Sequence, residues 1–212
     1  MKKKFEKIFE QLADFHMLSG YDGWMIGACI YEQSEMKNSC KSEIVKQSQN
    51  FAVMRNQLEF EGLYYQLELH IVKPKGYVDE KRDNHISVPE VSEANLKSGS
   101  EREDATDKSL VIFSHLDILR FVEAVGDTNP IHRKNHAVVP GLLMVKWMLE
   151  NLFEHGDFEK TKECKELKCQ FRFKKPVFAG DKLHVELPME HKKQIYECKR
   201  EDNEIVWNMR IL

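Results

Sequence analysis

Apolar positions near the amino terminus recur at the spacing of one helical face. The segment after MKKK places them three and four residues apart, which is typical of an amphipathic helix, at Phe5, Ile8, Phe9, Leu12 and Phe15. The positions between them are mostly Lys, Glu and Gln. The pattern therefore predicts a first helix with one apolar face.

Strand-like patterns replace the helical spacing in three later segments, residues 24–31, 41–54 and 56–72. In the last one, apolar side chains occupy every second position from Leu63 to Ile71, as in a strand with one buried face. Glu61-Gly62 interrupts this segment and predicts a hairpin turn. We therefore expect a helix packed on an antiparallel sheet, and this half contains no evident constellation of catalytic residues.

Residues 78–109 have a different composition. They are highly charged, contain no Phe, Tyr or Trp, and show neither helical nor strand periodicity. Such a segment buries too little apolar surface to offset the entropy of ordering it. We predict a linker here, which divides the chain into a first half at 1–77 and a second half at 110–212.

The second half begins with a well-marked helix. Ser114 stands where an N-cap residue should, and Asp117 follows at the spacing of a capping box. Phe113 and Ile118 flank this start as in a hydrophobic staple. Gly126 follows the last apolar position of the helical stripe and is predicted to end the helix.

A polar loop, DTNPIHRKNHAVV, leads from that helix to a very apolar one. Pro140 suits the first turn of the second helix. Its apolar positions cover most of the circumference and predict burial nearly all round: Leu142, Leu143, Val145, Trp147, Met148, Leu149, Leu152 and Phe153. Alternating segments follow, with a hairpin through EDN, so the predicted fold class is α+β, an antiparallel sheet wrapped around a central helix.

The charge balance, the lack of a long apolar run and the cysteines argue against several classes of function. Lys and Arg number 32 against 35 Asp and Glu, a formal net charge of −3, which argues against nucleic acid as a partner. We find no uninterrupted apolar run long enough for a signal sequence or membrane span, so we predict a cytoplasmic protein without a membrane partner. The cysteines number five, and Cys164 and Cys169 lack the additional ligands of a zinc site. We therefore expect no metal.

Three segments together resemble the hot-dog fold of the MaoC-like dehydratases and (R)-specific enoyl-CoA hydratases. They are GDTNPIH at 126–132, VVPGLLM at 138–144 and FRFKKPVFAGDKL at 171–183. The D-x-N-P-x-H element followed by a glycine at a helix start is the most specific of these. The resemblance covers roughly residues 108–212. The first half is similar only in shape, and we expect it to be a degenerate hot dog that makes the chain a double hot dog.

The resemblance implies an active site in the polar loop. Asp127 and His132 would act together on the water that adds to, or leaves, the double bond of an acyl thioester. The backbone N–H of Gly141 would stabilise the thioester oxygen, because a helix start offers free N–H groups and a favourable dipole. Asn129 and Pro130 would hold the loop in shape. No cofactor is implied, since coenzyme A or phosphopantetheine belongs to the substrate.

Each of these residues also has an ordinary interpretation. Asp127 is a common turn residue, His132 a common exposed loop residue, and Gly141 can simply permit close helix packing. His136 is a further imidazole of the loop that could act as an accessory group. Only eight residues separate His132 from Gly141, fewer than is usual in the family, so one alternative is a non-catalytic acyl-thioester-binding or assembly module. A thioesterase is a further alternative, because hot-dog proteins often host that chemistry, and we rank it lower.

The implied partners are acyl-CoA or an acyl carrier protein. Five basic residues near the motifs could bind the phosphates of coenzyme A or the acidic face of a carrier protein: Arg133, Lys134, Arg172, Lys174 and Lys175. We favour the alternative, in which these basic residues belong to a solvent-exposed strand face and bind no partner. A single hot dog completes its sheet by forming a homodimer, whereas two halves of one chain can do so internally.

Overall fold

The computed structural model describes residues 2–13, 20–35, 41–74, 110–154, 166–186 and 195–212. The predicted linker at 78–109 lies outside these ranges, as do Phe15, Cys40 and Cys164. The sequence also predicts that the long apolar helix ends at His155 and Gly156, and both residues lie outside the described ranges as well.

The first half consists of a helix followed by four strands. They are α1 (Lys2–Leu12), β1 (Met25–Ser34), β2 (Glu43–Gln47), β3 (Phe51–Phe60) and β4 (Leu63–Val72). Ile8, Phe9 and Leu12 of α1 are almost completely buried, as the apolar spacing predicted. The hairpin between β3 and β4 turns at Glu61 and Gly62, both with positive φ, which suits the twist of the paired strands.

One strand assignment from the sequence is wrong. Residues 41–54 do not form a single strand, because the chain reverses between β2 and β3. The N–H of Ser48 donates to the carbonyl of Phe51 over 2.7 Å and closes this turn. β3 then continues through residues 55–60 to the predicted hairpin.

The second half has the two predicted helices and the later alternating strands in the predicted order, together with a short first strand and a 3-10 turn that the sequence did not predict. They are β5 (Leu110–Ile112), α2 (His115–Ala124), a 3-10 turn (Pro130–His132), α3 (Gly141–Glu154), β6 (Leu167–Phe173), β7 (Lys182–Glu186), β8 (Ile195–Arg200) and β9 (Ile205–Ile211). In α3, residues 142–145, 148 and 149 are buried and the other described side chains from 146 to 152 are partly buried. Its burial nearly all round is therefore confirmed.

The described strands of both halves belong to one antiparallel sheet. Its order is β2-β3-β4-β1-β6-β9-β8-β7-β5. The halves meet where β1 pairs with β6, from Ala28 opposite Arg172 to Gln33 opposite Leu167. Outward from this seam, the first half runs β1-β4-β3-β2 and the second β6-β9-β8-β7, so the two halves repeat one arrangement. Only β5 has no counterpart among the described residues of the first half.

A single apolar core extends across the seam. Its largest fully buried side chains come from both halves and include Tyr31, Tyr65, Phe171 and Trp207. The residues of α1 and α3 belong to the same buried cluster. The sheet and all three described α-helices therefore contribute to one continuous interior, and the loop after α2 lies at the junction.

Candidate active site

The end of α2 fixes the position of Asp127. Ser114 caps the start of the helix, and its hydroxyl and backbone exchange hydrogen bonds with Asp117 as the capping box predicted. At the other end, Gly126 has a φ of +67°. The N–H of Gly126 donates to Glu123 O and the N–H of Asp127 donates to Val122 O. These two bonds form the Schellman arrangement, which holds Asp127 in a defined orientation directly after the helix.

Local hydrogen bonds hold the loop that follows. Asp127 Oδ1 accepts from the N–H of Asn129 over 2.8 Å. Asn129 is in turn the N-cap of the 3-10 turn, because its Oδ1 accepts from the N–H of Ile131. Pro130 occupies the first position of that turn, where its fixed φ is favourable. The turn ends at His132, whose ring faces back toward Asp127.

Asp127 and His132 form a buried pair. His132 Nε2 lies 3.5 Å from Asp127 Oδ2, and each residue is only 7% exposed. The other ring nitrogen, Nδ1, lies 2.6 Å from the carbonyl oxygen of Val138. A carbonyl can only accept, so Nδ1 carries the proton of this hydrogen bond. In the neutral ring, the lone pair of Nε2 therefore faces the carboxylate.

Burial keeps this imidazole neutral. It lowers the pKa of His132 below the ordinary value of 6.5, and the nearby Arg133 guanidinium acts in the same direction. The Asp127 carboxylate and the Val138 carbonyl oppose the shift, because both favour the imidazolium. The net effect leaves the Nε2 lone pair free at neutral pH, which is the state that a general base requires.

Gly141 begins α3 and lies against the first half. A Cβ at this position would come within 3.3 Å of both Ile26 Cβ and Phe173 Cζ, closer than ordinary packing allows. As the first residue of the helix, Gly141 has an N–H without an intrahelical acceptor. We find no carbonyl within the described ranges that accepts from it. A helix start of this kind can stabilise an oxygen that gains negative charge.

These groups line one cleft between the two halves. The cleft contains about 800 Å³ of empty space, part of it open to solvent, and Asp127, His132 and Gly141 all border it. The sequence interpretation had assigned no functional residues to the first half, yet that half supplies several lining side chains. They are Tyr21, Asp22, Trp24, Met25, Ile26 and Ile71.

Asn129 joins the loop to the first half. Its Oδ1 accepts from the N–H of Gly23 over 3.1 Å, and its Nδ2 donates to the carbonyl of Trp24 over 3.0 Å. The residue therefore does more than shape its own loop. It holds the turn at residues 21–24 against the segment that carries Asp127, so both sides of the cleft are fixed together.

The other candidate residues are less closely associated with the cleft. His136 is exposed and does not line it. Lys175 does line it, and its Nζ lies 3.1 Å from Glu204 Oε1. The exposed Arg133 donates to the backbone carbonyl of Asp127 over 3.0 Å. The remaining basic residues of that group, Lys134, Arg172 and Lys174, are exposed and do not line the cleft.

The described cysteines belong to the core. Cys29, Cys169 and Cys198 are buried free thiols. Burial raises the pKa of Cys169 and Cys198 to about 12, and that of Cys29 further still. Within the described residues, no group of three or more His, Cys, Asp or Glu is arranged to hold a metal ion. In the same ranges, no helix has the length and apolar character needed to cross a membrane.

Comparison with known proteins identifies the fold. No family model matches the sequence, and no curated protein matches it at a significant level. HtdX of Mycobacterium tuberculosis aligns over 98% of this chain and 85% of its own, with 9% identity and a TM-score of 0.61. A MaoC-like dehydratase from Phytophthora capsici aligns over 90% of this chain and 72% of its own, with 13% identity and a TM-score of 0.52. The fold is a hot dog.

The strand order agrees with this result. Around α3, the hot dog of the second half is complete from β5 to β9. The first half repeats four strands of the same arrangement with α1 in the place of α3. The expected double hot dog is therefore confirmed, with a reduced first half among the described residues.

Proposed function

We propose that this double hot dog is a MaoC-like hydratase that adds water to a trans-2-enoyl thioester and, in reverse, dehydrates an (R)-3-hydroxyacyl thioester. The acyl group would be carried by coenzyme A or an acyl carrier protein. One observation carries the proposal: His132 Nε2, the ring nitrogen not used in the hydrogen bond to Val138, lies 3.5 Å from Asp127 Oδ2 within a cleft.

The geometry supports a simple sequence of proton transfers. A water molecule bound by both side chains gives a proton to His132 Nε2 while its oxygen bonds to C3 of the enoyl group. The electrons of the C2–C3 double bond move toward the thioester carbonyl, whose oxygen becomes enolate-like. A proton then returns from the pair to C2, so the elements of water are added and the side chains are restored.

The remaining groups have supporting roles in this proposal. The Asp127 carboxylate orients the water and stabilises the transient imidazolium of His132. The free N–H of Gly141 donates to the enolate-like oxygen. Apolar side chains of the cleft, including Trp24, Ile26 and Met144, would contact the acyl chain and exclude bulk water.

Hydration of crotonyl-CoA, followed as loss of the ultraviolet absorbance of the enoyl thioester, tests the proposal. Asp127→Asn keeps an oxygen that can accept from the Asn129 N–H but removes the charge. His132→Asn keeps an N–H near Nδ1 for Val138 but removes Nε2. Each substitution should lower kcat/KM by about 10²- to 10⁴-fold, as loss of a general acid–base group does.

His136→Asn is the matched control, because it removes an exposed imidazole from the same loop. This variant should hydrate crotonyl-CoA at the rate of the unmodified protein. Equal activity in all three variants would remove Asp127 and His132 from the mechanism. Release of free thiol from crotonyl-CoA would instead indicate a thioesterase, and binding without turnover would indicate an acyl-thioester-binding module.

A further inference from the structure

Tyr21 is a buried residue of the cleft that the proposed reaction does not yet use. It is 9% exposed and lies on the first-half side of the cleft. Within the described residues, its hydroxyl is buried and has no hydrogen-bond partner. A buried hydroxyl without a partner costs free energy, so its retention calls for an explanation. A ligand in the cleft would provide the missing partner.

The position of Tyr21 is fixed by the same loop that carries Asp127. Its ring packs edge-on against Trp24, with centroids 5.0 Å apart and an angle of 89°. Its carbonyl accepts from the N–H of Trp24 over 3.0 Å. The two hydrogen bonds of Asn129 to Gly23 and Trp24 then attach this turn to the second half. Tyr21 is therefore held in place without using its hydroxyl.

Each of the other buried or charged side-chain donors that line the cleft has at least one partner. His132 Nδ1 donates to Val138 O, and Lys175 is paired with Glu204. The Asn129 amide donates to Trp24 O. The Tyr21 hydroxyl is the buried side-chain donor that the described part of the cleft leaves available.

We infer that the Tyr21 hydroxyl donates a hydrogen bond to the carbonyl oxygen of the bound acyl thioester, together with the N–H of Gly141. The inference rests on the proposed function. Ile26, five residues after Tyr21, lies against Gly141, so the segment that carries Tyr21 also reaches the helix start. The carbonyl oxygen gains negative charge as water adds to C3, and a second donor strengthens its stabilisation. The first half thereby contributes a catalytic residue.

Tyr21→Phe tests this role because it removes only the hydroxyl. Loss of one donor to the developing charge should lower kcat for crotonyl-CoA by about 10²-fold, with a smaller change in KM. The midpoint of thermal unfolding should stay the same or rise, because an unpaired buried hydroxyl is removed. A purely structural hydroxyl would give the opposite result, with lower stability and unchanged kcat.

Tyr31→Phe is the matched control. Tyr31 is completely buried, its hydroxyl donates to Gln33 Oε1 over 3.3 Å, and it does not line the cleft. This substitution should lower the unfolding midpoint and leave kcat unchanged. The contrast between the two variants separates a contact with the substrate from a general effect of losing a buried hydroxyl.

Binding measurements separate failure of this inference from failure of the proposed function. If the unmodified protein hydrates crotonyl-CoA and Tyr21→Phe does so equally well, the role of Tyr21 is wrong and the hydratase proposal stands. If the unmodified protein does not turn over, calorimetry with (R)-3-hydroxybutyryl-CoA decides. Weaker binding by Tyr21→Phe supports the contact with the thioester, whereas equal binding or none at all in the unmodified protein overturns it.

Discussion

A single backbone carbonyl determines which nitrogen of His132 faces the cleft. The sequence motif predicted His132 and its partner Asp127, but it could not predict the tautomer. Val138 is brought to the ring by the hydrogen bond from its N–H to Ile131 O and by its bridge to Phe178. Phe178 comes from a distant part of the chain, so local sequence contains no information about this contact.

The lowered pKa of His132 gives a prediction for the pH dependence of hydration. Because burial disfavours the imidazolium, the ring stays neutral to a lower pH than a free histidine. Activity should therefore be present above the folded pKa and be lost as pH falls through it. When kcat/KM for crotonyl-CoA is measured against pH, its decline on the acid side should have a midpoint below pH 6.5, the ordinary pKa of histidine.

Arg133→Ala provides a control for this profile. The Arg133 guanidinium contributes to the lowered pKa of His132, so its removal should move the acid limb to higher pH. Lys134→Ala removes a neighbouring exposed charge that does not line the cleft and should leave the limb in place. A midpoint above 6.5 in the unmodified protein would contradict a neutral, buried base.

At the scale of elements, the sequence predicts both ends of α2, because the residues that cap a helix lie within or next to it. Ser114 with Asp117, and Gly126 after the last apolar position, specify the helix from within the 13 residues 114–126. The reversal between β2 and β3 had a weaker signal, since Ser48 and Asn50 are common turn residues but the segment includes neither Gly nor Pro. The turn is instead closed by bonds from the backbone and side chain of Ser48 to Phe51 O.

Gly126→Ala should destabilise the protein at the end of α2. The φ of +67° is unfavourable for a residue with a Cβ, although open space surrounds this position. The expected loss is about 1–2 kcal/mol in the free energy of unfolding, measured with urea. Gly126→Asn should cost less, because Asn tolerates this conformation better. Equal stability of all three proteins would show that the left-handed residue does not matter for the helix end.

At the scale of the whole molecule, the contribution of the first half to the cleft could not be predicted. Tyr21, Trp24 and Ile26 reach Asp127 and Gly141 only because β1 pairs with β6, more than 130 residues later in the chain. The amphipathic patterns predicted the elements of each half separately, apart from the reversal between β2 and β3. They specify which faces are buried but not which strand edges meet.

Phe171 tests the importance of this seam for stability. It lies in β6 with Cys29 of β1 on one side and Met209 of β9 on the other, and it is completely buried. Phe171→Ala should lower the free energy of unfolding by about 3–5 kcal/mol. The exposed neighbour Arg172→Ala should change it by less than about 0.5 kcal/mol. A small effect at Phe171 would show that the interior does not depend on the seam.

The single occurrence of the polar loop makes the two repeats of the sheet unequal. In a homodimer of identical hot dogs, every substitution is present in both copies. A substitution meant for the acyl-binding side of the cleft would then also be present in the copy that supplies the acid–base residues. In this chain the described Asp127–His132 pair belongs to one repeat, and the turn at residues 21–24 belongs to the other. In the proposed mechanism, substitutions at the acyl-contacting residues Trp24 and Ile26 of the first repeat can therefore alter substrate selectivity without replacing either member of the acid–base pair.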